Sequence, residues 1–287
     1  MNAARTTTRR QLIGRAAAAS TALMVLPDWI AGLTQATPAL AAVSTSRLTP
    51  ELTEGPYWVD TMLRRSDVRA NTPGAKTAPG VAQDGVPLEL TINVLEGGEP
   101  LSGVAVDIWH ANAHGLYSDE SSQSAGGGTS GGDTSGENYL RGYQITGKDR
   151  GIKAAPVAGQ VSFETIWPGW YTGRAIHIHV RVRKLSEHGA AIAGYTTQIF
   201  FSDADNDAVL SGAAPYNTRS PQNDPTTDEN DTVLRSADIA TNVVAVTGNL
   251  TDGFSTTFNI ELDHAEVIAP GSLGRPNAGG PPTGAQP

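Results

Sequence analysis

The chain has no cysteine among its 287 residues. A disulfide frame is excluded, and so is any thiolate metal site. An exported protein made this way needs a true hydrophobic core, with a bound metal as a further source of stability. Charge is scarce too: Asp, Glu, Lys and Arg make up 17% of the residues, and the acidic ones outnumber the basic ones by 29 to 20. A surface of that sign is a poor match for nucleic acid or anionic membrane. No segment carries the apolar period of a long amphipathic helix, and no H-E-x-x-H sequence occurs. The hydrophobic share, 39%, is still that of an ordinary soluble protein rather than a disordered one.

Long apolar runs are missing except near the N-terminus. There "TTTRRQLIG" sets Arg9 and Arg10 before an Ala-rich run from Ala16 to Leu33, and "ALA", Ala39 to Ala41, offers a small-x-small cleavage pattern. Residues 1–41 therefore read as an export signal of the twin-arginine kind, and the expected product is secreted and free of the membrane once the signal is gone. The competing reading is an N-terminal anchor, against which stand Pro27, Asp28 and the shortness of the run. Removing the segment takes Arg5, Arg9, Arg10, Arg15 and Asp28 with it, so the remaining chain is still more acidic.

Turn chemistry, by contrast, is abundant, with 32 Gly and 18 Pro. Between the turns the apolar residues alternate. "LELTINVLE", "GVAVDIWH", "YLRGYQIT", "GQVSFETIW", "AIHIHVRVR", "YTTQIFF", "NVVAVTG" and "FSTTFNIEL" all have period two, separated by signals such as "EGGEPLSG", "GKDRG", "PGW" and "SDADND". The expectation is an all-β fold: a β-sandwich of two mostly antiparallel sheets with long irregular loops, one domain over residues 42–265. The loop Ser121 to Gly136 is an inert insertion or a lid. Residues Pro215 to Asp231 read as irregular, Leu48 to Pro79 admits no assignment, and residues 266–287 read as a disordered tail.

The segment Trp167 to Lys184, "WPGWYTGRAIHIHVRVRK", concentrates the chemistry. On a strand, Ile176, Ile178, Val180 and Val182 share the core face, while His177 and His179 project together from the other. Such a pair is half of a metal site, or two polar residues on a solvated face. Arg181 and Arg183 share the His face and are expected to reach solvent. Tyr171 and Arg174 lie just upstream, and Tyr117 sits in a Gly-containing loop after the strand that ends at Trp109. Tyr beside paired His points away from a routine zinc site. A phenolate is a hard anionic donor that suits ferric iron.

Taken in order, "LTPELTEGPYW", "GVAVDIWHANAHGLYS", "YLRGYQIT", "TIWPGWYTGRAIHIHVRV" and "TTQIFF" resemble the intradiol aromatic-ring dioxygenases, the protocatechuate and catechol dioxygenase family, in its secreted single-domain bacterial branch. The likeness runs from about Leu48 to about Asp263. It implies a non-haem Fe(III) centre held by Tyr117, Tyr171, His177 and His179. It further implies that Arg174 stabilises carbanion character in the ring, with Gln198 behind it, and that Trp109 packs behind a ligand. The substrates implied are a catechol and O2, and the product a cis,cis-muconate-type dicarboxylic acid, without an external reductant. Two departures from cytoplasmic members bear on substrate and assembly. The link from Tyr171 to His177 is short, which implies an open pocket tolerant of substituted catechols. No helical N-terminal dimerisation segment is present, so the oligomeric state stays open.

Other polar residues have plainer readings. His110 and His114 are satisfied polar groups near a strand end, and His188 and His264 face solvent. Tyr57 walls the substrate pocket or packs with Trp58. Trp170 faces the substrate, while Trp167 belongs to the core. Tyr139, Tyr143 and Tyr195 are structural, and Arg141 pairs with a carboxylate near the site or at the surface. Two other functions compete: a non-catalytic secreted β-sandwich that binds aromatic or carbohydrate polymers, and a ferrous or zinc enzyme. The latter calls for a carboxylate beside the His pair.

Overall fold

The computed structural model describes residues 47–77, 79–123, 132–219, 226–237 and 239–263. All lie within the compact unit Ser44–Pro287. The export signal, the C-terminal tail, His264 and the centre of the Gly-rich loop fall outside the described residues.

Alternation in the sequence becomes strands with one apolar face. In β1 (Pro87–Glu96), Leu88, Leu90, Ile92 and Val94 are all buried. Burial of each such side chain is worth about 1.5–3 kcal/mol. The short β2 (Glu99–Pro100) follows, then β3 (Ala105–Trp109), β4 (Arg141–Ile145), β5 (Gln160–Ile166), β6 (His177–Leu185) and β7 (Ala191–Phe201). The C-terminal strands are β8 (Val243–Val244), β9 (Val246–Asn249) and β10 (Gly253–Leu262). They form two five-stranded sheets. One runs β2-β1-β10-β9 with β5 also paired to β1; the other runs β4-β3-β6-β7-β8. Pairing is mostly antiparallel, with β1–β10 and β7–β8 parallel. Ile178, Val180 and Val182 of β6 pack in the same core as Leu88, Leu90, Ile92, Phe258 and Ile260 of the first sheet. This is the expected all-β sandwich.

Three local readings change. "SDADND" is not a turn but opens the helix α1 (Asp203–Gly212). The Ser202 hydroxyl accepts the Asp205 N–H at 3.2 Å, and Asp203 and Asp205 sit in the first turn, where the helix dipole favours acid. The polar stretch before β8 holds the 3₁₀ turns Tyr216–Thr218, Asp228–Asn230 and Leu234–Ser236, then the short α2 (Ile239–Asn242). Among the described residues no helix is long and apolar enough to cross a membrane.

The third change is the largest. Arg181 and Arg183 do not reach solvent: they are 7% and 2% exposed. The unassigned segment before β1 runs as an extended strap over the His face of β6. Glu54 pairs with Arg181, and Asp60 joins Asp107 on Arg183. The Trp58 ring lies 4.9 Å from the Arg181 guanidinium and 5.6 Å from that of Arg183. The charges are buried because each has a carboxylate and an aromatic face as compensation.

Candidate active site

Strand register sets the floor of the site. Arg141 of β4 faces Trp109 of β3, Trp109 faces His179 of β6, and His179 faces Gln198 of β7. Residues paired in this way project from the same face of the sheet. One row across four strands thus carries Arg141, Trp109, His179 and Gln198. The strap crosses that row two residues at a time. The Thr53 carbonyl accepts from Gln198 Nε2 at 2.7 Å, Gly55 lies against His179, and the Tyr57 carbonyl accepts from Arg141 Nη1 at 2.6 Å.

Two loops add the tyrosines. Tyr117 follows β3, and Tyr171 precedes β6, just after the Pro168-Gly169 pair. The loops are knitted closely: a Cβ on Gly115 would stand 2.2 Å from the Trp170 carbonyl oxygen, so only glycine fits there. A tight reversal then pairs Tyr171 with Arg174.

The four donors converge. Tyr117 Oη is 3.3 Å from His177 Nε2 and 3.1 Å from His179 Nε2. Tyr171 Oη is 3.2 Å from His177 Nε2, and the two imidazole Nε2 atoms are 3.1 Å apart. His177 Nδ1 lies 2.6 Å from the Ala175 carbonyl, which assigns the proton to Nδ1 and leaves the Nε2 lone pair facing the cluster. One lone pair surrounded by two phenol oxygens, a second imidazole and Arg174 Nη1 at 3.5 Å is not a hydrogen-bond pattern. The two phenol oxygens and two imidazole Nε2 atoms have the chemistry of a donor set that a cation would need. The residues therefore fit a metal, and their hard-oxygen, imidazole character suits ferric iron. Among the described residues no three His, Cys, Asp or Glu side chains cluster as a metal site.

Burial governs the protons. Desolvation, helped by the Arg174 charge, drives the His177 pKa down to about 3 and also depresses His179, so both rings are neutral. Burial pushes both phenols up, Tyr117 most, while Arg174 pulls against it. A trivalent cation held by these residues would reverse that balance for the phenols.

The remaining predicted residues divide. Gln198 is fully buried and accepts from Arg174 Nη2 at 2.5 Å. Tyr57 is half-buried, stacked on Tyr117 with centroids 4.4 Å apart and edge-on to Tyr171 at 6.4 Å. Trp58 packs on Trp109. Trp170 is not brought to the cluster: it is 4% exposed, with the Arg219 guanidinium 4.1 Å from its ring centroid. The reason is the knitted loop, which turns Trp170 inward as it turns Tyr171 out. His110 is buried, with Nε2 2.6 Å from the Thr165 hydroxyl and Nδ1 2.9 Å from the Ala111 carbonyl, a satisfied polar residue. Among the described residues Arg141 pairs with no carboxylate; it donates to Ser118 and to the strap. Two contributions escaped the sequence: the backbone contacts of the Thr53–Tyr57 strap, of which only the Tyr57 side chain was a candidate, and Asp231, whose carboxylate pairs with Arg174 Nε at 2.8 Å. Neither lies in a periodic segment.

A family model described as a dioxygenase matches residues 53–244, a span that holds every donor above. The chain belongs to the intradiol ring-cleavage dioxygenases. The dioxygenase also matches solved structures. An intradiol ring-cleavage dioxygenase from Tetranychus urticae is 24% identical, with a TM-score of 0.59 over 81% of this chain and 98% of that one. A second solved dioxygenase is 23% identical, with a TM-score of 0.57 over 80% and 97%. At these identities the likeness shows the fold. No curated protein matches the chain.

Proposed function

We propose that this dioxygenase is a secreted non-haem Fe(III) enzyme that cleaves catechol-type diols with O2, between the two hydroxylated carbons, to cis,cis-muconate-type dicarboxylic acids. The observation that carries the reading is the convergence of Tyr117, Tyr171, His177 and His179 on one position. These four residues would hold the iron, which supplies Lewis acidity that draws ring electron density toward O2.

The chain's own groups have distinct tasks. Tyr117 is 1% exposed beneath the Tyr57 ring and stays fixed. Tyr171 is the more open of the two, so its phenolate oxygen is the base that takes a proton from an entering catechol hydroxyl. Arg174, with Nη1 turned toward the cluster, stabilises negative charge that builds on the ring. Gln198 holds the opposite edge of that guanidinium, and Tyr57 forms a wall. Residues 1–41 support export, and chemistry that needs no external reductant suits that destination.

Catechol turnover followed as muconate tests the reading, with Tyr171→Phe and His179→Ala as controls. The iron-loaded protein should be reddish from tyrosinate-to-iron charge transfer, and both variants should lose activity. A pale iron-loaded protein, or no muconate from any catechol, counts against it. Strict selectivity for unsubstituted catechol would reject the open pocket alone.

A further inference from the structure

We propose that Asp231 is a positioning residue that aims the Arg174 guanidinium at the donor cluster, so that ring cleavage depends on a carboxylate carried by a loop outside both sheets. The kinetic part of this inference rests on the proposed function; the structural part does not.

Asp231 follows the 3₁₀ turn Asp228–Asn230, and its side chain is 0% exposed. A carboxylate that deep is costly unless its lone pairs are met. Oδ2 accepts from Arg174 Nε at 2.8 Å and from the Ala175 N–H at 2.7 Å. Oδ1 accepts from the N–H groups of Val233 at 2.8 Å and Leu234 at 2.9 Å. Four N–H donors therefore lock the anion in place, one of them from the residue between Arg174 and Ile176, at the entry to β6.

Arg174 is pinned on two sides as a result. Nε is on Asp231 and Nη2 is on Gln198, which leaves Nη1 directed at His177 Nε2, 3.5 Å away. A planar fork held at two vertices cannot rotate about its long axis. The side chain is 15% exposed, so it has a route to solvent if one anchor is lost. Gln198 alone does not block that route, because a single hydrogen bond leaves a hinge. The bland alternative is that Asp231 only shapes its loop by capping Val233 and Leu234.

Side-chain proton exchange and kinetics separate the two. In the metal-free wild-type protein, the Arg174 Nε–H signal, identified by its loss in Arg174→Lys, should exchange at least about tenfold more slowly than those of exposed arginines. In Asp231→Asn that protection should vanish. In the iron-loaded enzyme, kcat for catechol should fall about tenfold or more in Asp231→Asn, while KM and the anaerobic Kd for catechol stay within about threefold. Placed in Arg174→Lys, the same substitution should bring no further loss of kcat. The proposal is overturned by fast Nε–H exchange in the wild type, by an unchanged kcat, or by equal losses in both backgrounds. Should Asp231→Asn not fold, the wild-type exchange rate decides. If the wild type turns over no catechol, the proposed function fails while that rate still judges the Asp231–Arg174 anchor.

Discussion

Trp109 lies flat on His179, with ring centroids 4.7 Å apart and planes 6° from parallel. Both are at most 1% exposed. Register alone produces this, because the two are direct partners across β3 and β6. The indole is the backing plate of a ring whose Nδ1 has no hydrogen-bond partner among the described residues, so stacking takes over the orienting role a hydrogen bond usually has for an imidazole that would hold a metal. Trp109→Ala should cost about 3–5 kcal/mol in denaturant unfolding. Trp109→Phe should cost less and keep the fold, yet lower iron occupancy as read by metal analysis. Full occupancy in a folded Trp109→Phe would mean the plate is dispensable.

Gly55 should tolerate a side chain poorly. Its φ is +70°, and a Cβ would stand 3.2 Å from His179 Cε1. Gly55→Ala therefore meets both backbone strain, about 1 kcal/mol or more, and pressure on an imidazole. The expected outcome is a modest loss of thermal stability with a shifted or weakened visible band in the iron-loaded protein. A spectrum identical to wild type would show that the strap does not touch the ligand geometry.

Arg183 is a buried cation that depends on two carboxylates. It grips Asp107 through Nε at 2.7 Å and Nη2 at 2.8 Å, and Asp60 through Nη1 at 2.9 Å. Arg183→Met strands the Asp107 carboxylate and should cost about 3–5 kcal/mol, whereas the double change with Asp107→Leu should recover much of the loss. Chemical denaturation of the two variants and wild type checks this.

Asp228 makes stability depend on pH. Burial, with the neighbouring charges of Asp203 and Asp231, pushes its carboxyl up to about 7. Between the ordinary carboxylate range and that value, the folded chain keeps a proton the unfolded chain has lost. The contribution of this group to stability thus falls as pH rises toward 7 and stays lost above it. Asp228→Asn should raise stability at pH 8 by about 1 kcal/mol and should change little at pH 4. Melting curves of both proteins at the two pH values decide it; an equal difference at both would remove Asp228 as the cause.

The strands were legible in the amino-acid order because alternation is local: "AIHIHVRV" specifies which side chains share a face whatever packs against them. That rule alone put His177 beside His179 and buried Ile178 and Val180. Tyr171 stood out by its place just upstream of the pair, but Tyr117 could be matched to it firmly only through a family resemblance, since 60 residues separate Tyr117 from His177 and no local period spans that gap. The strap was illegible for a different reason. Its contacts follow the spacing of the strands it crosses, from Gln198 to His179 to Arg141, and not any repeat of its own. The same strap reversed the expectation for Arg181 and Arg183: their polarity marked a wet face, and only tertiary packing supplied the carboxylates and the indole that made it dry. Sequence determined which residues could be ligands and which way they point; the fold decided what they point at, because long-range burial is a property of neighbours that the chain brings together only when it closes.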